Sequence, residues 1–342
     1  MKKLILLTML TLVCVSIINA KTVDISDFGA IPEDNKDDSA ALQTAFKAIE
    51  STGGTIEITG GGKYLIEQPV RFIPTALNVN LILKFDGGTH FEVQLGNPYE
   101  SAFEAGNLNS FVIENGIFIG RNGTQTNAGW VITQNFVQQS RIVNSQFFNL
   151  SLTGGVINTA RTNALIESSQ FDGNTAPNII LVETYRGLTI RNSQFLDYAL
   201  FRGVYLSKTP SGVGAWIRAE NMLPLNAVGG RRIAIEDCQF DEGATTSISI
   251  KNADFVSIKG TTVNMNGSIT AIGFLFDNIK SGQVEQSSLG YTNLMSPGIK
   301  AVNKSSIEVN GLSLGQGVEH AEVDRTSKIE VKNSSIKIRK TD

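Results

Sequence analysis

Between Ile113 and Ile336 one rung recurs nine times: a β-branched residue, a turn-forming residue two positions on, and an apolar residue three beyond that. The β-branched series is Ile113, Ile142, Ile166, Ile190, Ile235, Ile258, Val284, Val309, Val331. The apolar series is Phe118, Phe147, Phe171, Phe195, Phe240, Val263, Leu289, Leu314, Ile336, with steps of 29, 24, 24, 45, 23, 26, 25 and 22 residues. Units of this length cannot bury an apolar face alone and must stack on their neighbours, so the period predicts a solenoid. One step, from Phe195 to Phe240, exceeds the others by about a full period.

Within a rung the apolar residues alternate, as in Leu188, Ile190 and Phe195 against Thr189, Arg191 and Gln194. That period of two predicts strands with one face inward. The residue three before each apolar member is Asn115, Asn144, Ser168, Asn192, Asp237, Gly260, Gln286, Gly311 or Asn333, types that tolerate turns. The next position is almost always small (Gly116, Ser145, Ser169, Ser193, Cys238, Thr261, Ser287, Leu312, Ser334) and reads as a tight inward row in which Cys238 is packed rather than nucleophilic. A second strand series precedes the rungs, at Val131–Thr133, Val156–Asn158, Ile180–Val182, Val204–Leu206, Ser249–Ile250, Phe274–Phe276 and Lys300–Val302. The prediction is an all-β rod of about ten to twelve coils, about 4.8 Å apart. Helical periodicity is confined to 37–51, where Ala41, Leu42, Ala45, Phe46 and Ile49 share a face; this amphipathic segment is expected to cap the open end of the stack. Lys337 to Asp342 reads as a short polar tail, with a charged last coil as the alternative cap of this end.

Met1-Lys2-Lys3, the apolar run Leu4 to Ile18 and the small-residue end at Ala20 have the pattern of a secretory signal peptide, residues 1–20, too short for a comfortable membrane span. Without it the chain carries 27 basic and 32 acidic residues, a net charge of −5, which gives no electrostatic reason to expect nucleic acid as a partner. Only Cys238 remains, so no internal disulfide is expected. The expectation is one secreted or periplasmic domain over 21–342, monomeric, with no membrane span after signal removal.

The stretch Val23-Asp24-Ile25-Ser26-Asp27-Phe28-Gly29-Ala30, followed by Asp34 to Asp38, Ala40-Ala41-Leu42-Gln43, Gly53-Gly54-Thr55-Ile56 and Gly61 to Ile66, resembles the N-terminal signature of the pectate-lyase-like (pectin-lyase fold) superfamily. The resemblance implies a right-handed parallel β-helix. It implies no single reaction, because similar chains include polysaccharide lyases, glycoside hydrolases, epimerases, tailspikes and proteins without known activity. Residues typical of the polygalacturonase-like hydrolases are missing: Asp37-Asp38 belongs to the capping segment, the histidines are His90 and His320, and Ile338-Arg339-Lys340 is in the wrong order.

The long step places a loop insertion at 207–230, carrying Lys208, Trp216 and Arg218. Aligning coils brings Arg161, Tyr185, Arg186, Arg202, Lys208 and Arg218 toward that insertion, and sets Ser207 between Glu183 and Lys251. The cationic and phenolic cluster suits an acidic polysaccharide. Cleavage by β-elimination needs a cation to neutralise the uronate carboxylate, for which Arg202 or Arg218 is suited, and a base, for which Tyr185 or Lys208 is suited. Arg161, Arg186 and Trp216 would bind substrate, and a Ca²⁺ held by Glu183 or Asp197 could share the neutralising role, as in lyase-like relatives. Two alternatives stay open: a catalytically silent, adhesin-like glycan binder, and a hydrolase pairing Asp197 with Asp172 or Asp241.

Overall fold

The computed structural model describes residues 20–120, 128–174, 176, 178–183, 187–196, 215–220, 231–241, 246–265, 272–291, 297–315, 318 and 320–341. Three sheets of twelve, eleven and ten strands, every pairing parallel, wind the described chain into a β-solenoid. Each coil contributes one strand to the eleven-stranded sheet, then one to the twelve-stranded sheet, then a short one to the ten-stranded sheet. The signal-peptide segment falls outside the described residues, among which no helix is long and apolar enough to cross a membrane.

The rungs predicted from spacing are in register. Ile113, Ile142, Ile166, Ile190, Ile235, Ile258, Val284, Val309 and Val331 are successive partners across the twelve-stranded sheet. The phenylalanines do the same in the ten-stranded sheet, and their rings stack nearly coplanar at 4.9 Å for Phe118–Phe147 and Phe147–Phe171, 4.8 Å for Phe171–Phe195 and 4.6 Å for Phe195–Phe240. The 45-residue step therefore leaves the core stack unbroken. Ile336, the last expected member, is buried but stands beyond the end of that sheet.

The turn row is left-handed at every coil, with φ from 46° at Gln286 to 68° at Gly311. Asn and Asp tolerate this region and Gly enters it freely, which explains the composition of the row. The small row behind it forms a ladder. The Ser145, Ser169 and Ser193 hydroxyls donate to the carbonyls of Val143, Glu167 and Arg191 at 3.0, 3.0 and 2.9 Å. The Ser145 and Ser169 hydroxyls also accept the backbone N–H of Gly116 and Ser145, one coil back, at 3.2 Å. Cys238 takes a serine's place: its thiol is buried, donates to the Glu236 carbonyl at 3.2 Å, and is pushed up to about 12 in pKa, chiefly by that burial.

The helix expected within 37–51 forms at Ser39–Lys47, burying Leu42, Ala45 and Phe46, with the Phe46 ring edge-on to Phe72 at 5.4 Å. Asp38 accepts backbone N–H groups of Ile31 and Leu65, and Asp37 those of Ser39 and Glu67, so this acidic pair fastens the segment to the first coil. At the other end the expected polar tail is a strand instead: Lys337–Lys340 pairs with His320–Val323 and ends the eleven-stranded sheet. Three of its four residues are charged and all four are exposed, a composition that discourages another strand from adding to the edge.

Phe171→Ala, which opens a hole in the middle of the ring stack, is expected to cost about 3–5 kcal/mol in urea unfolding, against less than about 1.5 kcal/mol for Phe171→Leu if the neighbouring rings close in. Cys238 is expected to resist a thiol reagent at pH 8 in the native state and to react fully on denaturation, because almost no thiolate exists four units below its pKa.

Candidate functional site

The long step is resolved differently from the sequence reading. Strand Ala215–Glu220 fills the ladder position expected of Val204–Leu206, pairing on one side with Asn178–Glu183 and on the other with Thr246–Lys251. Ile217 and Ala219 alternate inward and are completely buried, continuing the file of Ile180 and Ile248. The segment expected as a single loop, 207–230, thus contains a core strand, with Trp216 inside that strand. Val204–Leu206 falls outside the described residues.

On the outer face of the eleven-stranded sheet this register sets Thr133, Asn158, Leu181, Arg218, Ser249 and Leu275 in one row. The next row is Ala160, Glu183, Glu220, Lys251 and Asp277, so Glu220, and not Ser207, separates Glu183 from Lys251. Arg218 is partly buried at the centre, Glu183 is exposed one coil before it, and the Lys251 ammonium pairs with Asp277 at 3.5 Å one coil further on. Of the expected site, Arg218 and Glu183 share this face. Arg161 stands at the corner where the chain leaves it, exposed, with its guanidinium 4.3 Å above the Phe136 ring. Tyr185, Arg186, Asp197, Arg202 and Lys208 fall outside the described residues. Among the described residues no three His, Cys, Asp or Glu side chains gather to hold a metal ion.

Asp172 and Asp241 occupy equivalent positions two coils apart, with Leu196 on the coil between. Each is engaged locally: Gln170 donates to Asp172 at 3.4 Å, and Gln239 and Asn264 donate to Asp241, the latter at 2.8 Å.

A groove of about 600 Å³ on the twelve-stranded sheet was not anticipated. It crosses five coils, from strand Gln139–Val143 to strand Phe255–Lys259, about 19 Å along the axis at strand spacing. Its outward residues fall in two rows, Gln139, Asn163, Gly187, Arg232, Phe255 and Arg141, Leu165, Thr189, Ala234, Ser257. The floor is low because Gly187 and Ala234 project almost nothing from the sheet. Arg141 and Arg232 supply exposed cations, and Gln139, Asn163, Thr189 and Ser257 supply amides and hydroxyls. Beside it runs a file of alternating charge, Glu167, Arg191, Glu236, Lys259, Glu285, in which Arg191 donates to Glu167 at 2.8 Å. This pairing holds the Arg191 pKa above the usual arginine value. The alignment that revealed the inward rows also contains the groove: the positions one and three before each β-branched residue are its lining.

No family model matches the chain, and no curated protein sequence matches it. Among solved structures it is similar to PfbA, a surface adhesin of Streptococcus pneumoniae, at 15% identity and a TM-score of 0.54, with 94% of each chain covered. The chain is a right-handed parallel β-helix of the pectin-lyase fold. The β-helix is also similar to the polygalacturonase of Erwinia carotovora ssp. carotovora, at 11% identity and a TM-score of 0.44, covering 94% of this chain and 96% of that one. A third likeness is to tailspike protein 3 of bacteriophage CBA120, at 12% identity and a TM-score of 0.48, where the β-helix spans 61% of the tailspike's length.

Proposed function

We propose that this β-helix is an exported protein that binds an acidic, uronate-containing polysaccharide along the groove of its twelve-stranded sheet. The observation that carries this reading is the groove itself: an open trough about 19 Å long, which fits about four sugar units, lined by amides, hydroxyls and two arginines on a chain that is acidic overall. Amide and hydroxyl side chains exchange hydrogen bonds with sugar hydroxyls, and a guanidinium takes a carboxylate through two parallel N–H bonds. The adhesin likeness in fold agrees with surface binding, and the leader pattern of residues 1–20 agrees with export to a secreted or periplasmic location.

A second reading adds cleavage by β-elimination, and Arg218 favours it. This cation sits at the centre of the eleven-stranded face with Glu183 and Lys251 on the flanking coils. There it would neutralise a uronate carboxylate as the C5 proton leaves. In this reading Tyr185 or Lys208 supplies the base, Arg202 assists the neutralisation, and Arg186 and Trp216 hold the chain. Glu183 or Asp197 would hold a Ca²⁺ if one takes part.

Affinity electrophoresis in gels cast with polygalacturonate, alginate or a neutral glucan tests the binding reading. Retardation is expected in the uronans, weakening as salt rises. Arg232→Ala and the groove-filling Ala234→Trp should each raise the dissociation constant about tenfold, the scale of one charge-assisted contact. Migration of the wild type unaffected by any uronan would end the proposal. For elimination, incubation with the same uronans should release product absorbing near about 230–240 nm, abolished by Arg218→Ala. New reducing ends without that absorbance would point to the Asp-pair hydrolase, and binding without shortening to the silent adhesin-like form.

A further inference from the structure

We propose that Phe136 and Arg161 form a dedicated subsite for one acidic sugar, at the corner where the groove of the twelve-stranded sheet turns toward the face that carries Arg218; this rests on the glycan-binding reading above.

Among the described residues the corner is a row of left-handed positions: Asn107 (φ 56°), Phe136 (58°), Arg161 (55°), Asn252 (58°), Asn278 (58°) and Asn303 (56°). Their backbones do the same work. The N–H of Asn107 donates to Asn135, that of Phe136 to Ala160, that of Arg161 to Glu183 and that of Asn252 to Asp277, each one coil on. Asparagine belongs here, because it tolerates the left-handed region and its amide can bridge coils. Asn278 donates to Asn252 at 2.7 Å, and Asn303 to Asp277 at 2.6 Å.

Phe136 and Arg161 break this pattern on adjacent coils. A bulky aromatic is disfavoured in the left-handed region, and neither side chain can continue an amide ladder. Burial does not compensate, because Phe136 is 47% exposed and Arg161 is exposed as well. What they make is each other's company: the guanidinium lies 4.3 Å above the ring. Nothing in the coil requires this, since four asparagines build the same turn. Backbone strain held at an exposed position is among the features that cluster at ligand clamps, and with the ring–guanidinium pair it points here to binding.

The chemistry then names the ligand. Contact with the ring face holds the guanidinium at this corner, so the cation is in place before a carboxylate arrives. The free edge of the ring offers an apolar contact to the C–H face of a sugar. Three residues after Phe136 comes Gln139, and two after Arg161 comes Asn163, both on the lining of the groove. A chain lying in the groove would therefore reach this corner with its next uronate.

Phe136→Asn and Arg161→Asn, singly and together, restore the residue that the row uses elsewhere. Thermal unfolding should show a melting temperature equal to or above that of the wild type. Titration with oligogalacturonate and oligo-alginate should show about a tenfold weaker dissociation constant for each single variant. Arg161→Lys should fall between, keeping charge but not the fork. Variants that melt lower, with unchanged affinity for the folded protein, would overturn the subsite in favour of a structural role. Unchanged affinity in Phe136→Asn and Arg161→Asn while Arg232→Ala weakens binding would remove the subsite and leave the groove. If the wild type binds no oligo-uronate, the groove reading fails and the subsite with it.

Discussion

Everything in this molecule depends on parallel strands pairing in register, coil upon coil. In-register pairing puts like on like, so a residue type is favourable only if it can sit on a copy of itself about 4.8 Å away. Phenylalanine can, and the five rings from Phe118 to Phe240 are stacked at 4.6–4.9 Å. Serine can when its hydroxyl donates within its own coil and accepts from the one before, which is why a buried polar row survives beside the aromatic one. Like charges repel at that spacing, and the rim beside the groove alternates Glu167, Arg191, Glu236, Lys259, Glu285, whereas Glu183 and Glu220 on the eleven-stranded face are followed in register by Lys251.

This constraint explains why the inward half of the structure was legible in the sequence. Rows that stack identical side chains write a repeat, and the β-branched series and the phenylalanines were assigned to their partners by spacing alone. The same rule explains the error at the long step. Val204-Tyr205-Leu206 and Ala215 to Glu220 both offer an apolar alternation, and spacing from Phe195 favoured the nearer. What selects the second is the file it joins: Ile217 between Ile180 and Ile248, and Ala219 between Val182 and Ile250. Choosing the wrong strand also displaced the outward neighbours, so Ser207 was set where Glu220 belongs.

The groove was illegible for a different reason. It exists where side chains are missing, at Gly187 and Ala234, and a search for charged or aromatic residues passes over small ones. Outward rows need not repeat, because no core holds them to one type. Their sequence therefore records function and solubility rather than fold, and carries no period to find. Arg141 and Arg232 become neighbours of one trough only after the register is known.

The two left-handed rows separate these kinds of information. The row between the twelve- and ten-stranded sheets backs onto the serine ladder, and all nine of its members are Asn, Asp, Gly, Ser or Gln with the ordinary tasks of a turn. The row between the eleven- and twelve-stranded sheets stands between two outer faces, and there the composition breaks at Phe136 and Arg161 while the backbone does not. A position that keeps its geometry while abandoning the residue best suited to it is not explained by stacking. On a solenoid, where the fold is specified redundantly coil by coil, such a departure is tolerated because neighbouring coils hold the turn in place. That redundancy lets a single corner carry a strained aromatic and a cation without loss of the fold.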